Sequence, residues 1–170
     1  ERWTALRGGD LLDAAPDPAF DQITGLAAGV LQAPVSLFTV VDAERQFFVS
    51  SFGLPEPLRS ERQSPLWTSY CRFTIASEAP VSIHDAEHNP LVAAIGAWKK
   101  GFVAYLSTPI RDRDGRVVAS FSVADSRPRS WTRRDLLTLQ GIARLLMREL
   151  ENRATLGDLS ISEAKVRRSE

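Results

Sequence analysis

The chain alternates between short apolar runs and polar breaks that contain proline or glycine, and this alternation predicts its secondary structure. Apolar residues recur at helical spacing over 18–32, directly after Asp17-Pro18, which supplies an N-cap and a proline at the first helical position. Asp114-Gly115 is a strong hairpin signal between two of the β-branched and aromatic runs. Runs of this kind predict strands at 35–42, 47–53, 79–83, 102–110 and 117–125.

A Ser-Pro pair at 64–65 repeats the helix-start signal and predicts a short helix that carries Trp67, Tyr70 and Cys71. These three residues lie at i, i+3 and i+4, so they would share one helix face. The preceding segment, 54–63, has two prolines and alternating charge, and it is predicted to be a loop.

A long final helix is predicted after Ser130, which would be its N-cap. Before the last hairpin, residues 84–101 are predicted to form a polar loop that runs into a short helix closed by Gly101. The apolar stripe of the final helix comprises Leu136, Leu139, Ile142, Ala143, Leu146 and Leu150.

The predicted order is helix, two strands, helix, strand, helix, two strands, helix, which indicates an α+β fold with a central, mostly antiparallel sheet. The length suits one domain with a helical extension. We divide the chain into an N-terminal lead-in at 1–17, a domain at 18–152 and a helical linker at 153–170.

Composition narrows the choice of partners and compartment. Lysine and arginine together number 21, as do aspartate and glutamate, and no basic stripe forms, which disfavours a nucleic-acid partner. A single cysteine cannot form an intramolecular disulfide, so a reducing compartment, the cytoplasm, is expected. The longest apolar run is far shorter than the roughly 20 residues that span a bilayer, and we expect no membrane segment. The start at Glu1 rather than Met is typical of a fragment of a longer protein.

Four segments of the chain resemble the GAF domain family, the ligand-binding and regulatory modules of bacterial signalling proteins. They are VSLFTVVDAERQFF, SYCRFTI, HDAEHNPLV and YLSTPIRDRDGRVVASFSVADSRPRSWT, and the resemblance covers roughly residues 18–152. The chain departs from the family at Ala119 and Ser107, where glycine is frequent, and at Ser122, where cysteine is frequent.

The resemblance implies a sheet with the terminal helices on one face. A small-molecule pocket, when present, would lie on the other face under short helices and loops. It also implies that the linker 153–170 is a signalling helix, and a thin heptad-like seam of Leu156, Leu159 and Val166, interrupted by Glu163, fits that role. GAF domains bind different ligands, so the fold alone does not identify one.

Polar tips among apolar neighbours are the composition expected of a small-ligand cavity. Tyr105 and Ser107 share one face of their strand by its period of two, although the sequence does not assign that face to the pocket or to the helices. The candidate pocket residues are Trp67, Tyr70, Cys71, Thr74, Tyr105 and Ser107.

Cys71, the only cysteine, is interpreted as a packing residue. A nucleophile would need a nearby base, and the histidines, His84 and His88, lie in a separate loop. The GAF-type enzyme free methionine sulfoxide reductase is implied to exchange disulfides among several cysteines, which one cysteine cannot do. The Asp-Ile-Pro and Cys-His pairs of phytochrome-type bilin sites are absent as well.

Residues His84, Asp85, Glu87 and His88 are of the types that bind metals, but an Asn-Pro pair interrupts the helical register directly after them. We interpret them as a solvated loop and predict neither a metal nor a resident cofactor. A small-molecule ligand nevertheless stays open.

Trp98-Lys99-Lys100 could present an aromatic ring and two cations to an anion. We favour a tryptophan tucked under a helix end, with the lysines placed favourably near that C-terminus. The sequence contains no glycine-rich phosphate-binding segment.

We therefore predict a non-enzymatic sensory or regulatory domain that binds a small molecule. It would dimerise through its terminal helices and relay to an output domain in the same chain, such as a histidine kinase, a cyclase or a serine phosphatase. The alternatives are a purely structural dimerisation module with a filled pocket, and a small redox or hydrolytic enzyme.

Overall fold

A computed structural model describes residues 11–169, and within them the chain forms a six-stranded sheet. The order across the sheet is β3-β2-β1-β6-β5-β4, and every neighbouring pair is antiparallel. This arrangement confirms the predicted α+β fold. The strands are β1 (Val35–Val41), β2 (Arg45–Phe52), β3 (Gln63–Pro65), β4 (Val81–Ile83), β5 (Ala104–Arg111) and β6 (Val117–Asp125).

The helices differ widely in length. α1 and α4 are the long ones, and short 3-10 turns at Leu66–Thr68, Ala93–Ile95 and Ala97–Lys100 join other elements. In the part of the chain that the structure describes, no helix is both long and apolar enough to cross a membrane. The α-helices are α1 (Pro18–Leu31), α2 (Leu58–Glu61), α3 (Cys71–Ser77) and α4 (Arg133–Ser169).

The two long helices contact each other and cover one face of the sheet. Alternate residues of the central strands point to them, for example Phe38 in β1 and Phe121 in β6, both fully buried. Leu139 and Leu146 of α4 belong to the same apolar cluster and are fully buried as well. The expected position of the terminal helices on one face is confirmed.

The opposite face of the sheet carries a second apolar cluster. Leu37, Phe48 and Tyr105 enter it from the strands, and Tyr70 and Phe102 enter it from the segments that cover this face. These covering segments are α3, the 3-10 turns and the loops between them. The sheet therefore separates a helix-covered side from a side covered by short elements.

Local turn chemistry fixes the two hairpins. Oδ1 of Asp42 accepts hydrogen bonds from two backbone N–H groups at 2.8 and 2.9 Å, and Oδ1 of Asp112 does the same at 2.9 and 3.0 Å. Gly53 ends β2 with a φ of 71°, and a Cβ there would lie 1.9 Å from the carbonyl oxygen of Pro34. Glycine at this position allows the close approach of β2 to the start of β1.

The region before α3 differs from the prediction. The predicted loop at 54–63 contains α2 and the start of β3. No helix starts at the Ser-Pro pair, because residues Gln63–Pro65 pair with β2 as an edge strand. The hydroxyl of Ser64 contacts that of Thr68 at 3.0 Å instead of capping a helix.

The consequence is that Trp67, Tyr70 and Cys71 do not share a helix face, so the prediction from their spacing was wrong. Trp67 lies in the 3-10 turn, whereas α3 begins only at Cys71. The extended residue Ser69 therefore lies between the 3-10 turn with its exposed tryptophan and the helix that begins at the buried cysteine.

The cap of the last helix is also corrected. Thr132, not Ser130, caps α4, because its Oγ1 accepts from the N–H of Asp135 at 3.1 Å. The carboxylate of Asp135 accepts in return from the N–H of Thr132 at 2.9 Å. Thr132 is the better cap because Asp135, three residues later, returns the hydrogen bond and completes a capping box.

Candidate functional site

A cavity of about 400 Å³ lies on the sheet face opposite α1 and α4. Its floor is formed by β1, β2 and β5, and its walls come from residues 64–71 and from the segment 94–102. A cavity of a few hundred Å³ is of the size that binds small organic molecules.

Aromatic side chains form much of the cavity wall. Phe48 and Phe102 are buried there, and the rings of Tyr70 and Tyr105 meet edge to face with their centroids 5.3 Å apart. Trp67 stands at the mouth, where 62% of the residue is exposed. The cavity thus offers an apolar contact surface that continues from the floor to the mouth.

Some of the predicted pocket residues line this cavity and others do not. Thr74 and Ser107 stay outside it, because their fully buried hydroxyls hydrogen-bond to each other. Tyr105 and Ser107 point to the same side of the sheet, and the structure assigns that side to the cavity and α3. Ligand binding by any of these residues stays a prediction. The cavity-lining members of the predicted set are Trp67, Tyr70, Cys71 and Tyr105.

The thiol of Cys71 is enclosed by two polar neighbours. Its Sγ lies 2.6 Å from Oγ of Ser69 and donates to Oε1 of Gln46 at 3.3 Å. Burial raises the pKa of Cys71 to about 12, and the hydrogen bond with Ser69 only partly opposes this rise. Because the thiolate is the nucleophilic form, this thiol is unreactive near neutral pH. The geometry fits the packing role predicted for Cys71.

Gln46 is a polar lining residue that the candidate set did not include. Its Nε2 donates to Oγ of Ser64 at 2.5 Å, and Ser64 in turn contacts Thr68. Together with the bond from Cys71, these contacts fix the orientation of the amide. The available signal was the strand period, which puts Gln46 and the buried Phe48 on the same face of β2.

The two tyrosine hydroxyls differ in their hydrogen bonds. Tyr70 donates to the carbonyl oxygen of Phe102 at 3.1 Å. The buried hydroxyl of Tyr105 makes no hydrogen bond of good geometry with any residue of the described chain, although serine hydroxyls lie near it. Burial raises the pKa of Tyr105 to about 12. A buried hydroxyl without a good partner costs free energy, so the hydroxyl of Tyr105 should not stabilise the fold.

Two cations stand at the cavity mouth. Lys99 and Lys100 occupy the last turn of the 3-10 helix Ala97–Lys100, and both line the cavity. Gly96 and Gly101 flank this turn with φ values of 74° and 96°, a backbone region that favours glycine. The sequence interpretation placed the lysines near a helix end, which is correct, but did not place them at the cavity.

The tryptophan next to them is tucked in as expected. Trp98 is half-buried against the apolar cluster of this sheet face, and its Nε1 donates to the carbonyl oxygen of Ala93 at 3.0 Å. This bond holds the two 3-10 turns together. It therefore also holds the mouth of the cavity in shape.

A group of metal-ligand types lies outside the cavity. The ligand atoms of Asp85, Glu87 and His88 are within 4.8 Å of one another, and Glu87 and His88 are exposed. His88 Nδ1 lies 2.8 Å from the Asp85 carboxylate, which raises the pKa of His88 and lowers that of Asp85. His84 turns away and contacts Ser130 at 3.4 Å. The prediction that no metal binds here remains untested.

Comparison with known proteins identifies a family. A model of the GAF domain family matches residues 15–150. A cyclic di-GMP phosphodiesterase of Pseudomonas aeruginosa is 31% identical in an alignment of 144 positions that covers 81% of this chain and 23% of that protein. The chain thus spans less than a quarter of the length of this curated relative.

Solved structures share the fold at low identity. The GAF domain of an Acinetobacter phosphoenolpyruvate-protein phosphotransferase superposes with a TM-score of 0.65 at 13% identity, covering 92% of this chain and 95% of that one. The free methionine-R-sulfoxide reductase of Neisseria meningitidis, solved in complex with its substrate, gives 0.62 at 15% identity, covering 89% and 87%. At such identities the likeness shows the fold alone.

Proposed function

Because this chain belongs to the GAF domain family, we propose that it is a non-enzymatic sensory or regulatory domain that binds a small molecule and relays the bound state to an output domain. The output domain lies C-terminal in the same chain and belongs to a signalling enzyme. The curated relative supports this setting, since it is named as a cyclic di-GMP phosphodiesterase and the match covers only 23% of it. Such a phosphodiesterase joins the kinase, cyclase and phosphatase as candidate outputs.

The observation that carries the proposal is the cavity. It has about 400 Å³ of space beneath short covering elements, with aromatic walls and a few polar groups that converge from different strands. This combination is typical of ligand sites. A cavity of this size also opposes the alternative of a filled pocket, in which the domain would only dimerise.

The side chains around the cavity argue against catalysis. The lining contains no histidine, aspartate or glutamate, the usual general acids and bases. Its cysteine is buried with a pKa of about 12, and the chain has no second cysteine to form a disulfide with it. The thiol-disulfide chemistry attributed to free methionine sulfoxide reductases, and acid-base hydrolysis, both lack their groups at this site.

The relay is proposed to run through α4, which is part of the domain and also continues beyond it. Arg153 ties α4 to the start of α1, because its guanidinium pairs with Asp17 and Glu149 and lies 4.3 Å from the ring centre of Phe20. Beyond it, residues 156–169 are mostly exposed. A helix anchored at one end can carry a small displacement of the domain to whatever follows it.

Native mass spectrometry of the domain as purified tests ligand binding. We expect a retained small molecule, or a compound from a screen that raises the midpoint of thermal unfolding, since a ligand stabilises the state that binds it. If the domain retains no molecule and no compound raises its midpoint of thermal unfolding, the structural-module alternative would be favoured.

A matched pair of variants ties the ligand to the cavity. Ala94 lines the mouth and is exposed, so Ala94→Trp should plug the cavity without disturbing the core. Ala76 is exposed on α3 outside the cavity, and Ala76→Trp serves as the control. Loss of the ligand in the first variant and retention in the second is the expected result. Equal binding by both would place the ligand elsewhere.

The non-enzymatic part has its own test. Reduction of free methionine sulfoxide with a thiol reductant should not rise above the rate without protein, in the unaltered domain and in Cys71→Ser alike. Turnover that disappears in Cys71→Ser would overturn the non-enzymatic proposal.

A further inference from the structure

We propose that the cavity binds an organic carboxylate with an apolar, preferably aromatic, body, and that Lys99 and Lys100 hold the carboxylate at the mouth. This inference rests on the proposed function and specifies its ligand. It follows from the charge of the lining, from the use of lysine in this chain and from the aromatic surfaces of the interior.

The lining is unbalanced in charge although the chain is not. The formal net charge of the chain is zero, whereas Lys99 and Lys100 are the charged residues of the cavity lining, which has no aspartate or glutamate. Among the described residues, neither lysine forms an ion pair with a carboxylate. Two adjacent ammonium groups without a carboxylate partner produce a positive potential at the opening, which attracts anions and repels cations.

The chain uses lysine rarely, and mostly at this site. Lysine occurs at three positions, Lys99, Lys100 and Lys165, and arginine supplies the other 18 of the 21 basic residues. The arginines at 45, 129 and 153 form ion pairs or stack on rings elsewhere on the domain. At the mouth the chain instead has the compact ammonium groups of Lys99 and Lys100. Each has three rotatable donors on a flexible stem, so it can approach a ligand atom from several directions.

The mouth holds these ammonium groups in a defined place. The 3-10 helix Ala97–Lys100 lies between Gly96 and Gly101, and the half-buried indole of Trp98 ties it to the preceding turn through its hydrogen bond to Ala93. Nζ of Lys99 lies 5.3 Å from the ring centre of Trp98, so its stem runs along this ring. The lysines are therefore positioned by the fold although they are exposed.

The interior of the cavity is suited to an apolar, aromatic body. Phe48, Tyr70 and Phe102 provide flat contact surfaces, and Trp67 extends them to the mouth. A ligand with its carboxylate at the lysines would place its ring against these surfaces.

Matched trios of compounds test this charge preference, because each trio shares one body. We would use indoleacetate, indoleacetamide and tryptamine, and phenylacetate, phenylacetamide and phenethylamine, with titration calorimetry at low ionic strength. In each trio the carboxylate should bind about tenfold more tightly than the amide, as expected of charge-assisted hydrogen bonds, and the amine more weakly than the amide. Added salt should reduce the difference in affinity between the carboxylate and the amide, because it screens the charges at the exposed mouth.

Variants of the lysines assign the preference to the mouth. The double variant Lys99→Gln and Lys100→Gln should bring the carboxylate to the affinity of the amide, while the amide keeps its affinity. Lys165→Gln is the control, because Lys165 is exposed on the C-terminal part of α4. A charge preference that survives in the double variant, or one that Lys165→Gln removes, would overturn the assignment to the mouth.

The scarcity of lysine also permits a direct footprint. Acetylation by an amine-reactive ester, read by peptide mass spectrometry, reports on each of the three lysines of the chain. Indoleacetate should slow the acetylation of Lys99 and Lys100 relative to Lys165, and tryptamine should not. Preferred binding of the amides or amines would overturn the carboxylate proposal but leave a small-molecule sensor standing. If no probe binds, the ligand class is wrong, and native mass spectrometry decides separately whether any ligand exists.

Discussion

The side chains of Tyr70 and Tyr105 both line the cavity, yet among the described residues only the hydroxyl of Tyr70 makes a hydrogen bond of good geometry. Tyr70 satisfies the carbonyl of Phe102, whereas Tyr105 is buried without an equivalent bond among the described residues. The two rings contact each other edge to face, so their apolar surroundings are shared. The change in the free energy of unfolding on removing one of these hydroxyls should therefore depend on its hydrogen-bond partner rather than on its burial.

The first prediction compares the two tyrosines. Tyr70→Phe should lower the free energy of unfolding by about 1 kcal/mol, because it breaks a hydrogen bond and leaves a buried carbonyl unpaired. Tyr105→Phe should be neutral or stabilising, because it removes a buried hydroxyl without a good partner. Urea denaturation of both variants provides the measurement. A larger loss in Tyr105→Phe than in Tyr70→Phe would show that Tyr105 is hydrogen-bonded in solution.

The second prediction concerns alkaline pH. Burial raises the pKa of Tyr105 from 10.0 to about 12, so the folded state keeps its proton after the unfolded state has lost it. Over this range the unfolded state binds fewer protons, and stability therefore falls with rising pH. The contribution is fully present below about pH 9 and is lost between about pH 10 and 12.

Tyr105→Phe isolates that contribution, because phenylalanine has no proton to lose. The free energy of unfolding should fall less steeply above about pH 10 in this variant than in the parent protein, and the two curves should run parallel below about pH 9. Denaturation series at closely spaced pH values would measure both slopes. Identical slopes above pH 10 would mean that Tyr105 ionises as readily in the folded state as in the unfolded one.

At the scale of elements, the sequence predicted the central strands and the long helices but missed the edge strand β3. The strands around Phe38 and Phe121 have strong β-branched and aromatic patterns, and both hairpins have a turn aspartate, so their existence could be inferred locally. Residues Gln63–Pro65 form a strand only because β2 offers its free edge to them. Such pairing is a long-range event that the Ser-Pro pair does not encode, so the helix signal there was misleading.

The third prediction uses two neighbouring leucines of α4. Leu146 is fully buried against the sheet, and Leu145 is 42% exposed. Leu146→Ala should lower the free energy of unfolding by about 2–5 kcal/mol through lost burial and the cavity left behind. Leu145→Ala should change it by no more than about 0.5 kcal/mol, because alanine favours the helix and no core contact is lost. Similar losses in both variants would contradict the orientation of α4.

At the scale of the whole molecule, the sheet separates a side packed by the two long helices from a side that contains the cavity. The side with α1 and α4 is packed with apolar residues, while the other side has short elements, an internal cavity and two lysines at its mouth. The resemblance to GAF domains was enough to expect this division. The resemblance did not place Thr74 and Ser107 correctly, because their hydroxyls hydrogen-bond to each other instead of facing the cavity. Hydrogen-bond partners distant in sequence decided this, and no local pattern reports them.

The exposed end of α4 carries the candidate dimer interface. Leu156, Leu159 and Val166 are 66%, 56% and 55% exposed, and they follow the heptad seam expected for a parallel dimer. Ile161 is 45% exposed but lies opposite that seam, between its heptad positions. The C-terminal part of the helix therefore provides both a candidate interface and an apolar residue outside it.

The last prediction separates self-association from stability. Removing residues 155–170, or replacing Leu156 and Leu159 by glutamine, should weaken dimerisation, because these side chains have no sheet to contact and gain burial only against a second copy. The thermal midpoint of the monomer should hardly change. Ile161→Gln removes a similar apolar surface off the seam and should leave dimerisation intact. Sedimentation velocity at several concentrations measures all of these proteins. Undiminished dimerisation in the shortened chain would exclude the seam as the interface and direct attention to the exposed residues of α1, Leu26 and Val30.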